Sequence, residues 1–161
     1  MQNFLDRSFI FVWLPLLTNS ILAIAAFLIN PEDFRQNVGL CYLAISFALI
    51  GSVVCFLGFK IHDVGPRRML FALVAQSATM IVTFAGVYRG YGLWFAGGER
   101  LINDGVDALY FSIVTWTTLG YGDFTPPPEL RLIAASQALL GYAFFGISVG
   151  LGTAILCDRK P

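Results

Sequence analysis

The chain has 161 residues, of which 57% are hydrophobic and only 12% are charged, and its formal net charge is zero. A soluble domain of this length needs more polar side chains on its surface. The composition therefore excludes a soluble domain and predicts an integral, multi-pass membrane protein. The neutral charge gives no reason to expect nucleic acid as a partner, and because we find no nucleophile beside a base and no phosphate-binding loop, we do not expect an enzyme.

Two apolar runs come first, over residues 9–29 and about 39–59. Each is long enough as a helix to cross a bilayer core of about 30 Å. For the first run a signal peptide is the alternative, because residues 23–25 read Ala-Ile-Ala, like a cleavage site. Neither run carries a motif that we can assign, so we expect residues 1–68 to form two accessory spans with their linker, lying against lipid or a neighbouring subunit.

The linker over residues 60–68 carries three of the ten Lys and Arg side chains. Because cytoplasmic loops of membrane proteins are enriched in basic residues, this linker is predicted to be cytoplasmic. With two spans on either side of it, both termini then lie in the cytoplasm, and the outer side holds more acids than bases, which attracts cations. The expected location is the plasma (inner) membrane.

A third apolar span is predicted over residues 69–88, followed by an outer loop over residues 89–103. The tripeptide Gly-Tyr-Gly at residues 90–92 lies in that loop, directly after Arg89 and with no threonine before it. Two glycines around one aromatic residue are typical of a turn, so we interpret this copy as loop.

The next segment predicts a helix that is too short to cross a membrane. Asn103 or Asp104 is a suitable N-cap, and the apolar residues after Asp107 continue to about Thr117. At about 1.5 Å per residue this helix is roughly 20 Å long, against about 30 Å for the bilayer core. A short helix followed by an extended loop between two longer spans indicates a re-entrant hairpin, whose partly negative C-terminal end would stabilise a cation near the membrane centre.

The loop after this helix reads Thr-Leu-Gly-Tyr-Gly-Asp over residues 118–123. A potassium ion can exchange its hydration shell for protein oxygens where a loop turns its backbone carbonyls towards a pore axis, and Gly120 and Gly122 can supply the positive φ values that such a loop needs. The motif resembles the selectivity filter of potassium channels. The resemblance implies a filter made of five residues, which are Thr118, Leu119, Gly120, Tyr121 and Gly122.

The same resemblance implies where the ions bind. K⁺ ions are expected at the carbonyls of residues 118–121 and at the Thr118 hydroxyl, with no organic cofactor. Tyr121 is expected to point away from the pore, where its ring holds the loop at a fixed radius.

The fourth span is predicted over about residues 129–156, within a pore domain over residues 69–161. Gly141 and Gly146 match two positions at which inner helices of the family bend or pack closely, so the resemblance implies a gate or hinge there. The alternative is that Gly146 and Gly150 only form a close-packing pair.

One face of the fourth span carries a regular set of side chains. Phe145, Val149 and Thr153 recur every four residues and therefore fall along one side of a helix. We expect this face to line the cavity below the filter.

The support behind the filter departs from the common family pattern. Val114 stands where some bacterial members have a glutamate, and Tyr110 stands where many members have a tryptophan. Because a tyrosine can donate one hydrogen bond to a carboxylate, we predict a Tyr110–Asp123 hydrogen bond, with Trp116 filling the space around Tyr121. The alternative is that Asp123 faces water and Tyr110 is ordinary core.

The resemblance as a whole implies an all-α membrane protein with four transmembrane helices, a re-entrant pore helix and a filter loop. A ring of carbonyls around one ion takes four loops, so the expected assembly is a homotetramer, with three further copies of the chain and membrane lipid as partners. The expected function is passive, potassium-selective conduction. A weakly selective cation channel is one alternative, because Leu119 replaces the commoner valine, and a non-conducting regulatory subunit is another.

Overall fold

The computed structural model describes residues 8–28, 50, 65–96 and 101–157. Its helices are α1 (Ser8–Leu28), α2 (Pro66–Tyr91), α3 (Gly105–Trp116) and α4 (Arg131–Cys157). The first, third and fourth predicted spans and the short helix are thus confirmed as helices. The predicted second span lies outside the described residues except for Ile50, and so does most of the 60–68 linker.

The short helix α3 lies between two long ones. Helix α2 packs against α1, α3 and α4, and α3 also packs against α4. Among the described residues, two helical stretches are long and apolar enough to cross a membrane by length and composition, Pro66–Tyr91 and Pro128–Cys157. The second stretch joins a 3-10 turn, Pro128–Leu130, to α4. The protein is therefore mostly helical, with membrane-length helices on both sides of α3.

Helix α2 extends past its predicted end and takes in part of the tripeptide that we interpreted as loop. Gly90 and Tyr91 complete its last turn, so that prediction is wrong for these two residues, because the burial of Gly90 overrides its weak helix propensity. Gly92 then ends the helix with a φ of 82° and donates its N–H to Tyr88 O at 2.7 Å. A Cβ at this position would lie 2.0 Å from Leu101 Cδ2, so the turn requires glycine.

Helix α1 docks along α2 through polar contacts at two levels. Ser20 Oγ and Thr79 Oγ1 form a hydrogen bond of 2.9 Å between the helices. At the C-terminal ends of the two helices, Arg89 Nη1 donates to Phe27 O, and the guanidinium carbon lies 5.4 Å from the centre of the Phe27 ring. A cation over an aromatic face is stabilising, more so where water is excluded, so Arg89 links the ends of both helices.

Helix α3 begins at one of the two predicted caps. Asp104 Oδ2 accepts hydrogen bonds from Val106 N at 2.9 Å and from Asp107 N at 3.3 Å. These bonds satisfy two of the four N–H groups that a helix start leaves unpaired. Asp107 adds a negative charge in the first turn, where the helix dipole is positive.

Three short strands form a sheet that the all-α prediction did not include, and the prediction is corrected on this point. β1 (Leu93–Phe95) lies in the middle, with β2 (Leu101–Ile102) and β3 (Phe124–Thr125) antiparallel on either side. Strands this short have no period-two pattern, and β1 pairs with β3 across the whole of α3, so nothing local indicates them. The sheet joins the segment before α3 to the segment after the glycine-containing loop.

The buried core holds α3 against its neighbours. Ala108, Phe111 and Trp116 of α3 belong to one apolar cluster with residues of α2, β1 and the 3-10 turn. The rings of Tyr88 and Phe111 meet edge to face with their centres 4.8 Å apart. Full burial of a large apolar side chain contributes about 1.5–3 kcal/mol, so this cluster fixes α3 between α2 and α4.

Candidate functional site

The loop that follows α3 alternates in the sign of φ. Thr118, Gly120 and Gly122 have φ values of 59°, 52° and 78°, whereas Leu119 and Tyr121 between them are not in the positive region. The positive φ values predicted for the two glycines are therefore confirmed. An alternation of this kind allows successive carbonyls of an extended loop to face the same side, which is the arrangement that a ring of ion ligands requires.

The first positive φ of the loop is also the end of α3. Thr118 N–H donates to Thr115 O at 3.1 Å, and Leu119 N–H donates to Val114 O at 3.0 Å. These two bonds around a left-handed residue are the hydrogen bonds of a Schellman motif, whose left-handed position is usually glycine. Thr118 occupies that position here. The way in which α3 closes therefore sets the conformation in which the loop begins.

Thr118 is strained in this position. A β-branched residue in the left-handed region is a genuine outlier, and such conformations cost of order 1–3 kcal/mol. Strain of this size persists only where the surrounding structure determines it, and it clusters at functional sites. The motif singled out Thr118 for its hydroxyl oxygen, and the backbone conformation is an independent reason to regard the position as functional.

The last carbonyl of α3 lies directly against α4. A Cβ added to Gly141 would be 2.0 Å from Trp116 O and 2.9 Å from Trp116 C, so only glycine allows this approach. At Gly146, by contrast, no atom of the described residues would lie within 4 Å of an added Cβ. The two glycines expected to act as a gate thus differ, because one is required by packing inside the chain and the other is not. A hinge at either glycine stays a prediction.

A cavity of about 400 Å³ lies beside the start of the loop, between α2, α4 and the end of α3. Thr117, Thr118 and Phe145 are among the residues that line it. Val149 and Thr153 are exposed further along α4 and are not among the described residues that line this cavity. The assignment of these three α4 side chains to a pore cavity stays a prediction.

The other end of the loop is tied to β1 through the backbone. Ala96 N–H donates to Asp123 O at 2.7 Å, and the next two residues pair with β1 as β3. Asp123 Oδ1 accepts a hydrogen bond from Phe124 N–H at 3.1 Å. Its carboxylate also raises the pKa of the Tyr110 hydroxyl above the ordinary value, chiefly through side-chain hydrogen bonding. The role of Tyr110 as a filter support stays a prediction. The backbone hydrogen bond from Ala96 to Asp123 is a second support of the loop, and it was missed in the sequence analysis.

Trp116 and Tyr121 lie in different surroundings in the single chain. The Trp116 ring is buried and meets Phe144 of α4 edge to face, with the ring centres 5.4 Å apart. Tyr121 is 67% exposed and Leu119 is 60% exposed. Large apolar side chains left open in one chain indicate a covering surface. The predicted packing of Trp116 around Tyr121 therefore stays a prediction.

A buried polar network behind α3 was also missed. Tyr88 Oη donates to Gln137 Oε1 at 2.7 Å, and Gln137 Nε2 donates to Ser112 Oγ at 2.8 Å and to Ser112 O at 3.1 Å. Ser112 Oγ donates in turn to Ile81 O at 2.7 Å. The three side chains of the network are fully buried. Gln137 is the one residue of this network that the sequence could have pointed to, because an amide side chain inside an apolar span usually forms a hydrogen bond with a neighbouring helix.

Comparisons with known proteins place the chain among ion channels. A family described as ion channel matches residues 69–157, which contain most of α2 and all of α3, the loop and α4. No solved structure matches the chain.

Curated relatives match over parts of the chain. The chain is 48% identical to "Potassium voltage-gated channel subfamily KQT member 3" of Rattus norvegicus over 113 residues, which is 66% of this chain and 12% of the relative. It is 52% identical to "Two pore potassium channel c" of Oryza sativa subsp. japonica over 78 residues, which is 48% of this chain and 16% of the relative. The chain thus spans only a small part of the length of these relatives.

Proposed function

The chain belongs to the potassium-channel pore-domain family of ion channels, and from this premise we propose that four copies of it form a potassium-selective pore for passive conduction. The observation that carries the proposal is the conformation of residues 118–122. Positive φ recurs at every second residue, and the first of these residues is held in a strained conformation by the end of α3. Such a conformation is useful where several carbonyls have to face one axis.

In this proposal the filter acts through neutral oxygen atoms. K⁺ ions lie at the carbonyls of residues 118–121 and at the Thr118 hydroxyl, which together replace the hydration shell. Several such sites in series let one ion displace the next, so binding is strong enough for entry and weak enough for release. Gly122 and Asp123 then form the end of the filter that is tied to the sheet.

The proposal of a homotetramer is supported by surfaces that one chain leaves open. A single loop cannot surround an ion, and residues 117–122 are exposed in the single chain. Helix α4, all of whose residues are described, has only Gln137 and Gly141 buried. Its exposed side chains include Leu139, Tyr142 and Phe145. Neighbouring copies around a central axis would cover the loops and one face of α4, and lipid would cover the rest.

The chain direction supports the proposal of four spans. Contacts join Ser20 to Thr79 and Phe27 to Arg89, so α1 and α2 run in the same direction. Two parallel spans require the chain between them to return across the membrane, and the apolar run over residues 39–59 has the length to do so. We therefore propose residues 1–68 as an accessory domain and residues 69–161 as the pore domain, with both termini cytoplasmic and the protein in the plasma (inner) membrane.

The test is potassium flux through the purified protein in liposomes, followed by reversal potentials with K⁺ on one side and Na⁺ on the other. We expect K⁺ flux and a reversal potential close to that for K⁺ alone. Gly122→Asp is the matched variant, because it removes the residue that adopts a φ of 78° and adds charge at the filter, so selectivity should degrade.

Each alternative predicts a different result in this assay. Na⁺ permeating as readily as K⁺ in the unmutated protein would make the chain a weakly selective cation channel and reject the proposal. No flux at all from an assembled protein would favour a non-conducting subunit.

A further inference from the structure

The two buried residues of α4 point to one function. Of the 27 residues of this helix, all of them described, only Gln137 and Gly141 are buried. They are four residues apart, so they lie on one face, one helical turn from each other. Both contact α3. Gln137 donates to Ser112 Oγ and Ser112 O, and Gly141 lies against Trp116 O.

These two contacts lie at the same spacing on both helices. Ser112 and Trp116 of α3 are also four residues apart, so the pairs 112–137 and 116–141 form successive rungs between helices that run in the same direction. A shift of α3 by one residue along α4 would move it by about 1.5 Å and turn it by about a third of a rotation. Such a shift would remove Ser112 from Gln137 and bring a side chain towards Gly141, so the two contacts allow one register.

The hydrogen positions in the network are determined by its chemistry. Ile81 O can only accept, so the Ser112 hydroxyl, 2.7 Å away, donates to it. Ser112 Oγ must then accept from Gln137, which places the amide nitrogen on the α3 side and Oε1 on the Tyr88 side. Tyr88 therefore donates. Because both Nε2 protons and both hydroxyl protons are used, no alternative arrangement keeps every buried group satisfied.

We propose that Gln137 is a positioning residue that fixes the register of α3 on α4 and thereby the ion selectivity of the filter. Thr118 follows Trp116 by two residues and takes its conformation from the end of α3. The position of α3 along α4 therefore sets the height and rotation at which the filter begins. The proposal rests on the proposed function, since it concerns the same filter. It goes further because it assigns an effect on ion selectivity to Gln137, a buried residue of α4 that lies outside the filter motif.

The main experiment compares three single variants of the full chain in planar bilayers. Gln137→Met keeps the length of the side chain and removes both hydrogen bonds to α3. The K⁺/Na⁺ permeability ratio should therefore fall by about tenfold or more, because the loss of even one buried hydrogen bond can shift an equilibrium by about that factor. Tyr88→Phe removes the donor to Gln137 Oε1 and leaves the bonds to Ser112, so the protein should become less stable to heat while its permeability ratio is unchanged. Ser136→Ala, on the exposed side of α4, is the control and should change neither quantity.

A merely structural role predicts a different pattern. Gln137→Met and Tyr88→Phe would then lower thermal stability in parallel, and the channels that remain would keep the unmutated permeability ratio. That result overturns the proposal. If Gln137→Met does not assemble, Ser112→Ala is measured instead, because it removes the Oγ acceptor with a smaller change in volume and leaves only the bond from Gln137 to Ser112 O. The ratio should then fall by a smaller factor, and an unchanged ratio overturns the proposal.

Amide hydrogen exchange separates this proposal from the proposed function. Exchange at Thr118 N–H and Leu119 N–H should rise several-fold in Gln137→Met and stay unchanged in Ser136→Ala, whether or not the protein conducts. Unchanged exchange in Gln137→Met overturns the positioning role. An unmutated protein that carries no K⁺ current rejects the proposed function, and the exchange result still decides whether Gln137 positions α3.

Discussion

The loop that we propose as the filter is held at its two ends by different parts of the chain. At the helix end, Thr118 closes α3, and α3 in turn lies against α4 at Gly141. At the strand end, Asp123 is bonded to Ala96, and the residues that follow pair with β1. The helix end is strained and is joined to a long helix of which only two residues are buried, whereas the strand end is fixed by backbone hydrogen bonds.

This difference indicates how a motion of α4 would reach the loop. A tilt or rotation of α4 would act first on the helix end of the loop. The reason is that Gln137 and Gly141, the only buried residues of α4, both contact α3. The strand end is bonded to the segment before α3 and would stay in place. We therefore expect substitutions at the helix end to have larger effects than substitutions at the strand end.

The largest effect is expected at Gly141. In Gly141→Ala the new Cβ would lie 2.0 Å from Trp116 O, a backbone atom that cannot move without moving α3. Overpacking of this kind costs about 1–3 kcal/mol and occasionally more, so the protein should unfold at a markedly lower temperature. Gly146→Ala is the matched control, because no described atom lies within 4 Å of the new methyl group. Equal losses of thermal stability in the two variants would contradict the contact with α3.

A smaller effect of opposite sign is expected at Thr118. Thr118→Gly removes a β-branched residue from a φ of 59° and should raise the free energy of unfolding by about 1 kcal/mol in K⁺-free buffer. The same variant loses the hydroxyl ligand, so added K⁺ should stabilise it less than it stabilises the unmutated protein.

Thr117→Gly provides the control for this prediction. Thr117 has a φ of −81°, and its Oγ1 donates to Ile113 O at 2.8 Å, so glycine there should destabilise. Thermal unfolding with and without K⁺ measures both variants. A Thr118→Gly protein that is less stable than the unmutated one without K⁺ would show that the position is not strained.

The smallest effect is expected at Tyr110, at the strand end. Tyr110→Phe removes one hydroxyl next to the Asp123 carboxylate and almost no volume. The effect should be small, because the backbone hydrogen bond from Ala96 to Asp123 remains. Single-channel recordings should show shorter openings or a lower open probability with tetramer assembly intact. Tyr142→Phe, on the exposed face of α4, is the control, and identical recordings from the two variants would remove Tyr110 from the filter support.

The parts of the site that could be predicted from sequence are those whose causes are local. The N-cap at Asp104, the positive φ values at Gly120 and Gly122 and the short length of α3 all follow from neighbouring residues. The left-handed conformation of Thr118 was not expected, because a threonine gives no sign that it replaces the usual glycine of a helix end.

The missed parts depend on residues that are far apart in sequence. The sheet pairs Trp94 with Thr125 across α3, and the buried network joins Tyr88 to Gln137 across α3 and the filter. Neither pair of residues is separated by a fixed, recognisable number of positions, so the sequence alone does not indicate that they meet. A single long-range contact also decided the difference between Gly141 and Gly146, which look alike in the sequence.

The link between α1 and α2 has a mechanical consequence. Arg89 in the last turn of α2 donates to Phe27 O near the end of α1, so separating the helices would leave a guanidinium without that partner at the edge of the membrane. The two helices should therefore move as one body. In a tetramer the outer perimeter of the pore would then be formed partly by α1. Lateral pressure from the bilayer on α1 would be transmitted to α2 through the contact between Arg89 and Phe27, and from α2 to α3.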